Sequence, residues 1–390
     1  MFPFRTNEYV VNELIDWSAG TADPIFRLTF PDPGMLAPAD LARMERLLRT
    51  EATPAEVSSA ANEIRSRLNP HPAGQIELNE PTLGGRQLAG LQHKYPETLL
   101  VFPRQGQTCH AYCQYCFRWP QFVGIPGLKI AIDDVSAMQA YLRAHPEVTD
   151  VLLTGGDPLV MATDVLRRYV EPLLRIDTVR SIRIGTKALS YWPYRFLTEP
   201  DGDDLLQLFR AVRTAGKHLA VMAHFSHPQE LMPPAVGAAV ARIWDAGALI
   251  RCQSPIIRQV NDDAATWARL WRGLVTAGMV PYYMFVERDT GAAQHFGIPL
   301  VRAYEIFREA HSSVSGLART VRGPVMSAAP GKVCVDGIAE VAGESVFVLR
   351  YLQARDPALV DRPFFAHADP SAIWLTDLKP ALGATELGPR

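Results

Sequence analysis

The sequence predicts an α/β protein built on a parallel sheet covered by helices. Two observations carry the prediction. From about residue 98 a strand-like run followed by a helix-length amphipathic stretch recurs six times, and a cysteine-rich loop follows the first of these strands, where parallel α/β folds place their chemistry. A chain of 390 residues with 48% hydrophobic and 21% charged residues can bury a sizeable core, and its length suits two domains or one large barrel with extensions.

The elements follow in order. Pro38-Ala39-Asp40 opens an apolar-periodic helix through Leu48, and Thr53-Pro54-Ala55-Glu56 opens a second through Leu68, which Asn69-Pro70-His71-Pro72 stops. Residues 1–92 therefore read as a helical extension. Strands are expected at 99–102, 150–153, 181–184, 218–222, 249–252 and 279–285, with helices at 133–144, 162–174, 203–215, 234–246, 264–277 and 301–311. Such units wind either an open doubly wound sheet or a barrel short of eight strands, over residues 93–325. The segment 326–390 reads as a hairpin, from its short apolar runs at 333–335 and 346–351.

Charge excludes a class of function: 39 Lys plus Arg against 41 Asp plus Glu gives a net −2, with no basic field to gather nucleic acid or anionic membrane. No apolar run reaches bilayer length and the start lacks a basic segment followed by an apolar one, so a cytoplasmic protein is expected. An odd cysteine count without a secretion signal argues against a disulfide framework.

Three of the five cysteines, Cys109, Cys113 and Cys116, form Cys-x3-Cys-x2-Cys after the first strand. Three thiolates on one short loop can hold three irons of a 4Fe-4S cubane and leave the fourth open to a substrate or cofactor. Structural zinc would need a fourth ligand, and His110 sits too close to its neighbours to complete a tetrahedron easily. Gly155-Gly156-Asp157 follows the second strand; alone it is an ordinary turn signal, but its glycines allow a close backbone approach beside the cysteine loop.

The cysteine spacing with Tyr115 before the last cysteine, and the Gly-Gly-Asp turn, resemble the radical S-adenosylmethionine enzymes. Further segments resemble lysine 2,3-aminomutase and its relatives, in order and at similar spacing from about residue 16 to 333: His93-Lys94-Tyr95-Pro96, Arg183-Ile184-Gly185-Thr186-Lys187, Ala223-His224-Phe225-Ser226-His227-Pro228, Gln253-Ser254, and Pro281-Tyr282-Tyr283 with His295-Phe296. The resemblance implies a partial (β/α)6 barrel. It implies a 4Fe-4S cluster on the three cysteines, and S-adenosylmethionine held by Gly155, Gly156, Asp157, His224 and Gln253. Pyridoxal 5'-phosphate would lie near Lys94, Tyr95 and Lys187, forming an imine with Lys332. Reaction by this group of enzymes moves an amino group from the α to the β carbon, with Arg118 pairing with the substrate carboxylate.

Departures from the family carry information too. Ala328-Ala329-Pro330-Gly331-Lys332 stands where the family has a longer glycine-rich segment, and Lys94 and Lys187 replace arginines. Positions of the two aspartates that receive the distal ammonium of lysine fall on Arg288 and Ala328. The expected function is therefore 2,3-amino migration on a small neutral or acidic amino acid, with Arg118 and Arg288 binding substrate. The alternative is hydrogen abstraction alone, without pyridoxal phosphate, in an epimerase or dehydrogenase. An external electron donor such as flavodoxin or ferredoxin is implied, and a homo-oligomer is compatible with the sequence.

Overall fold

A computed structural model describes residues 1–71, 76–125 and 127–389; Pro72, the last of the expected helix breakers, lies outside them. The two N-terminal helices form as expected, over Pro38–Arg49 and Pro54–Leu68. Thr53 caps the second: its hydroxyl accepts from the Glu56 amide while the Glu56 carboxylate accepts from the Thr53 amide at 2.8 Å. A small ribbon, β1 (Thr82–Leu83) with β2 (Arg86–Gln87), leads into the main sheet.

That sheet has eleven strands: β3 (Leu91–Tyr95), β4 (Thr98–Val101), β5 (Asp150–Leu153), β6 (Ser181–Thr186), β7 (His218–His224), β8 (Leu249–Ile256), β9 (Val280–Val286), β10 (Arg322–Ser327), β11 (Gly331–Val341), β12 (Glu344–Ala354) and β13 (Pro363–His367). Their spatial order is their order in the chain. β4 to β10 are mutually parallel, while β3 and β11 to β13 pair antiparallel. All six expected strands are present, and β10 is a seventh. Its Gly323-Pro324 reads as a turn in sequence, yet the strand is placed by β9 on one side and β11 on the other.

Sequential order has a physical consequence. Right-handed crossovers between neighbours that never reverse direction put every helix on one face, whereas a doubly wound sheet needs a reversal. The helices accordingly pack as neighbours in one layer. In β5 and β6, Val151, Leu153, Ile182 and Ile184 point to that layer and are buried, while Asp150, Leu152, Arg183 and Gly185 on the opposite face keep accessible surface. The helix Thr163–Leu174 shows the matching pattern: Leu166, Tyr169, Val170 and Leu173 are buried at helical spacing, so that Leu166→Ala would cost about 2–5 kcal/mol. Helices Gly202–Thr214 and Pro234–Asp245 each end in Ala-Gly, with Gly216 and Gly247 in the left-handed conformation that turns the chain into the next strand. The face without helices is the one that carries the expected site residues. No helix of the described residues is long and apolar enough to cross a membrane.

Candidate active site

The cysteine loop leaves β4 at Phe102 and is clamped from outside by the N-terminal segment. Arg5 donates to the Thr108 hydroxyl (2.9 Å) and the Cys109 carbonyl (3.0 Å), the Tyr112 amide donates to the Arg5 carbonyl, and the Gln114 amide donates to the Leu28 carbonyl at 2.8 Å. The segment before residue 38 thus works as a brace on the loop. Cys109, Cys113 and Cys116 are free thiols, and the charges they would carry interact pairwise, so the three face a common space. Burial pushes their ionisation up, that of Cys116 to about 12, which a bound cation would offset. Among the described residues no three His, Cys, Asp or Glu side chains converge on a single-ion point. Three thiols facing one space are the donor set that a 4Fe-4S cubane takes at three of its irons.

The Gly155-Gly156-Asp157 turn is packed directly on this loop. A Cβ on Gly156 would stand 2.2 Å from the Thr108 carbonyl oxygen, and one on Gly155 would stand 2.2 Å from the Gln107 amide nitrogen. The close approach the glycines permit is therefore to the cysteine loop itself, which the Asp157 amide joins by donating to the Thr108 carbonyl at 2.7 Å. Asp157 is buried, and its carboxylate accepts from the Leu159 and Lys187 amides, the Thr186 hydroxyl and His110 Nε2. Burial alone would raise its pKa, but His110 and these amides hold it below the usual carboxylate range. With its oxygens so committed, Asp157 fixes the geometry of the turn.

His224 and Gln253 are register partners at the ends of β7 and β8, and their side chains meet at 2.9 Å. Burial, then Lys187, holds His224 down at about 4, so its ring is neutral. Lys187 does not join the other expected phosphate-site residues. Its amine pairs with the fully buried Glu230 carboxylate at 3.1 and 3.2 Å and lies 4.0 Å from the Tyr191 ring. Sequence reading missed Glu230, which carries no motif and is identified only by its place after β7.

The remaining expected residues form a cationic line through the open face. Arg118 senses the charges of Cys116 and Cys109 on one side and Arg288 on the other; Arg288 in turn acts on Lys94, and Lys94 interacts with Lys332. Burial first, then like charges, lower Arg118 to about 10 and Lys94 to about 7, with Arg288 acting on Arg118 and Arg355, Arg288 and Lys332 acting on Lys94. Lys332 is likewise lowered to about 7, by burial and then by Arg183 and Arg322. Its amine lies 5.6 Å from the Tyr95 ring and 5.0 Å from that of Tyr283, with Lys94 on Tyr95 at 5.3 Å. The shortened loop is held as a tight turn: Ala328 N donates to Gly331 O, Arg355 bonds the carbonyls of Ala329 and Pro330, and Lys94 bonds that of Ala328. The turn delivers Lys332 to the open face in spite of the missing glycines. Among the described residues neither Arg118 nor Arg288 has an ion-pair partner, and Arg288 Nε is buried without a hydrogen bond. Glu287 is a poor counterion because burial pushes its carboxyl well up, and Asp289 reaches toward His71 at 3.5 Å.

No family model matches the chain. It is 34% identical over 377 residues, 96% of this chain and 87% of the relative, to a protein of Aquifex aeolicus (strain VF5) named "Putative L-lysine 2,3-aminomutase". It is 30% identical to the L-lysine 2,3-aminomutase of Fusobacterium nucleatum subsp. nucleatum over 229 residues, which cover 59% of this chain and 51% of that one. A radical SAM methyltransferase from Sphaerobacter thermophilus overlays with a TM-score of 0.41 and 19% identity, covering 74% of this chain and 94% of the other. The chain is a radical S-adenosylmethionine isomerase by kinship. It belongs to the lysine 2,3-aminomutase family, whose members imply a 4Fe-4S cluster and S-adenosylmethionine.

Proposed function

We propose that the sheet is a partial barrel enclosing an aminomutase site, and that its substrate is a small neutral or acidic amino acid rather than lysine. The observation that carries this is a pair of shared rings: Arg118 and Arg288 both lie over Phe117, just after Cys116, and Lys94 and Lys332 both lie over Tyr95. It supports a reading in which the cysteine loop, two carboxylate-binding arginines and an imine-forming amine serve one site. Cys109, Cys113 and Cys116 would hold the cluster, and the backbone of Gly155 and Gly156 with His224 and Gln253 would line the S-adenosylmethionine site. Pyridoxal phosphate, when bound, supplies an aldehyde for the substrate amine and a ring that stabilises a migrating radical. Lys332, half-neutral near pH 7, presents the amine that competes for that aldehyde, and Lys94 offers a cation for the phosphate. Arg118 orients the α-carboxylate. Lysine is disfavoured because its distal ammonium would meet Arg288.

Anaerobic reconstitution with iron and sulfide, followed by an amino-acid panel with and without pyridoxal phosphate, tests the reading. The expected result is a β-amino acid formed only when both cofactors are present, with borohydride fixing pyridoxal to Lys332. Epimerised or dehydrogenated product formed without pyridoxal would establish the alternative instead.

A further inference from the structure

Lys332 and Gln353 are directly opposite each other in the β11–β12 pairing. Lys332 Nζ donates to Gln353 Oε1 at 2.7 Å, and Gln353 Nε2 donates to Glu97 Oε1 at 2.8 Å. We propose that Glu97 and Gln353 form a positioning relay that holds the Lys332 amine between the Tyr95 and Tyr283 rings, with Gln353 as the residue in contact and Glu97 as its anchor. The inference rests on the reading of Lys332 as the imine-forming lysine.

The two ends of the relay dictate the same amide orientation. An ionised carboxylate only accepts hydrogen bonds and a lysine ammonium only donates them. Gln353 can satisfy both only with its nitrogen toward Glu97 and its oxygen toward Lys332, so the exposed carboxylate locks the rotamer of a less exposed amide. Gly331 lets the strands approach this closely, since a Cβ there would lie 2.3 Å from the Gln353 carbonyl oxygen. Other groups facing Lys332 do not duplicate the contact. Asp150 on β5 is bound to Arg183 on β6 through Oδ1 at 2.9 Å, while Arg322 on β10 and Lys94 on β3 are cations that repel an ammonium. Glu97 is the remaining carboxylate, and it reaches Lys332 by way of Gln353.

The test uses the full-length protein without added pyridoxal phosphate. Labelling of Lys332 by acetic anhydride across a pH series, read by mass spectrometry, gives the midpoint at which its amine becomes nucleophilic. Gln353→Leu removes the acceptor that favours the charged form, so the midpoint should fall by about one pH unit, a tenfold change in charged-to-neutral ratio. Glu97→Ala, at an exposed position, should shift it in the same direction by less. A folded Gln353→Leu protein with the wild-type midpoint overturns the relay. Should that variant fail to fold, an unmoved midpoint in Glu97→Ala does the same. A shifted midpoint together with failure of borohydride to fix pyridoxal on wild-type Lys332 would leave the relay standing and reject the cofactor reading alone.

Discussion

Arg118 and Arg288 share one aromatic ring: their guanidinium carbons lie 4.9 and 5.1 Å from the centroid of Phe117. Trp374 from the C-terminal segment stands 6.0 Å from Arg288. Aromatic faces partly compensate each cation, but leave its in-plane donors for a planar anion.

If those anions are the two carboxylates of one substrate, glutamate or aspartate should be turned over in preference to lysine. Arg288→Gln should then lower kcat/KM for the acidic substrate by about tenfold or more, in line with a charged hydrogen bond of about 2 kcal/mol, and Arg288→Asp should lower it further. Steady-state kinetics on the reconstituted protein decide the point. A wild-type protein that processes lysine and ignores both acids would make Asp289 or Glu287 the selector.

Asp157→Ala should destabilise the protein by about 3 kcal/mol or more, because it strips the acceptor from buried donors on three segments at once. Affinity for S-adenosylmethionine should fall with it, since the Gly155-Gly156 backbone loses its fixed position. Denaturant titration and equilibrium binding are the measurements. An unchanged unfolding midpoint with lost affinity would make the carboxylate a direct ligand.

Cluster content separates the cysteines. Replacing Cys109, Cys113 or Cys116 with Ala should abolish stable iron binding, whereas Cys252→Ala and Cys334→Ala should retain it. Cys252 is buried beside Met279 at 3.7 Å, and Cys334 packs with Tyr283 and Val325, so those losses should appear only as reduced stability. Iron and sulfide analysis after anaerobic reconstitution reads the difference.

Stability should rise with pH above neutrality through Lys332 and Lys94. Their folded-state values are depressed to about 7 from 10.5, so between those limits the unfolded chain binds more protons than the native one. The penalty is complete below pH 7 and is relieved on the way to 10.5, with a slope of up to about 1.4 kcal/mol per pH unit for each lysine. Lys332→Met should remove its share of that slope in urea titrations between pH 7 and 9.5. A slope identical to wild type would mean that the amine is already well solvated.

The sequence displayed the repeating units, the cysteine loop and the Gly-Gly-Asp turn because each has a local cause: side-chain periodicity, ligand spacing or backbone access. β10 was hidden since its Gly323-Pro324 is tolerated only by virtue of neighbours on both sides. Lys187 was grouped with Lys94 on resemblance, but its partner Glu230 is 43 residues away and announces itself in no pattern. Gln353 became visible only with the β11–β12 register, and Asp157's role only once four donors from three segments were seen to meet on it. Long-range pairing is what a linear reading lacks.

The brace formed by Arg5 and Leu28 also bears on how the protein is made. These residues precede the cysteine loop in the chain, so a ribosome releases the loop into partners that already exist. Lys332 and Gln353 emerge more than two hundred residues later than Cys109. If folding follows synthesis, the loop can be shielded from stray oxidation early, and the amine pocket is completed last. The cysteine loop would then be complete before the surroundings of Lys332, an order written into the direction of translation.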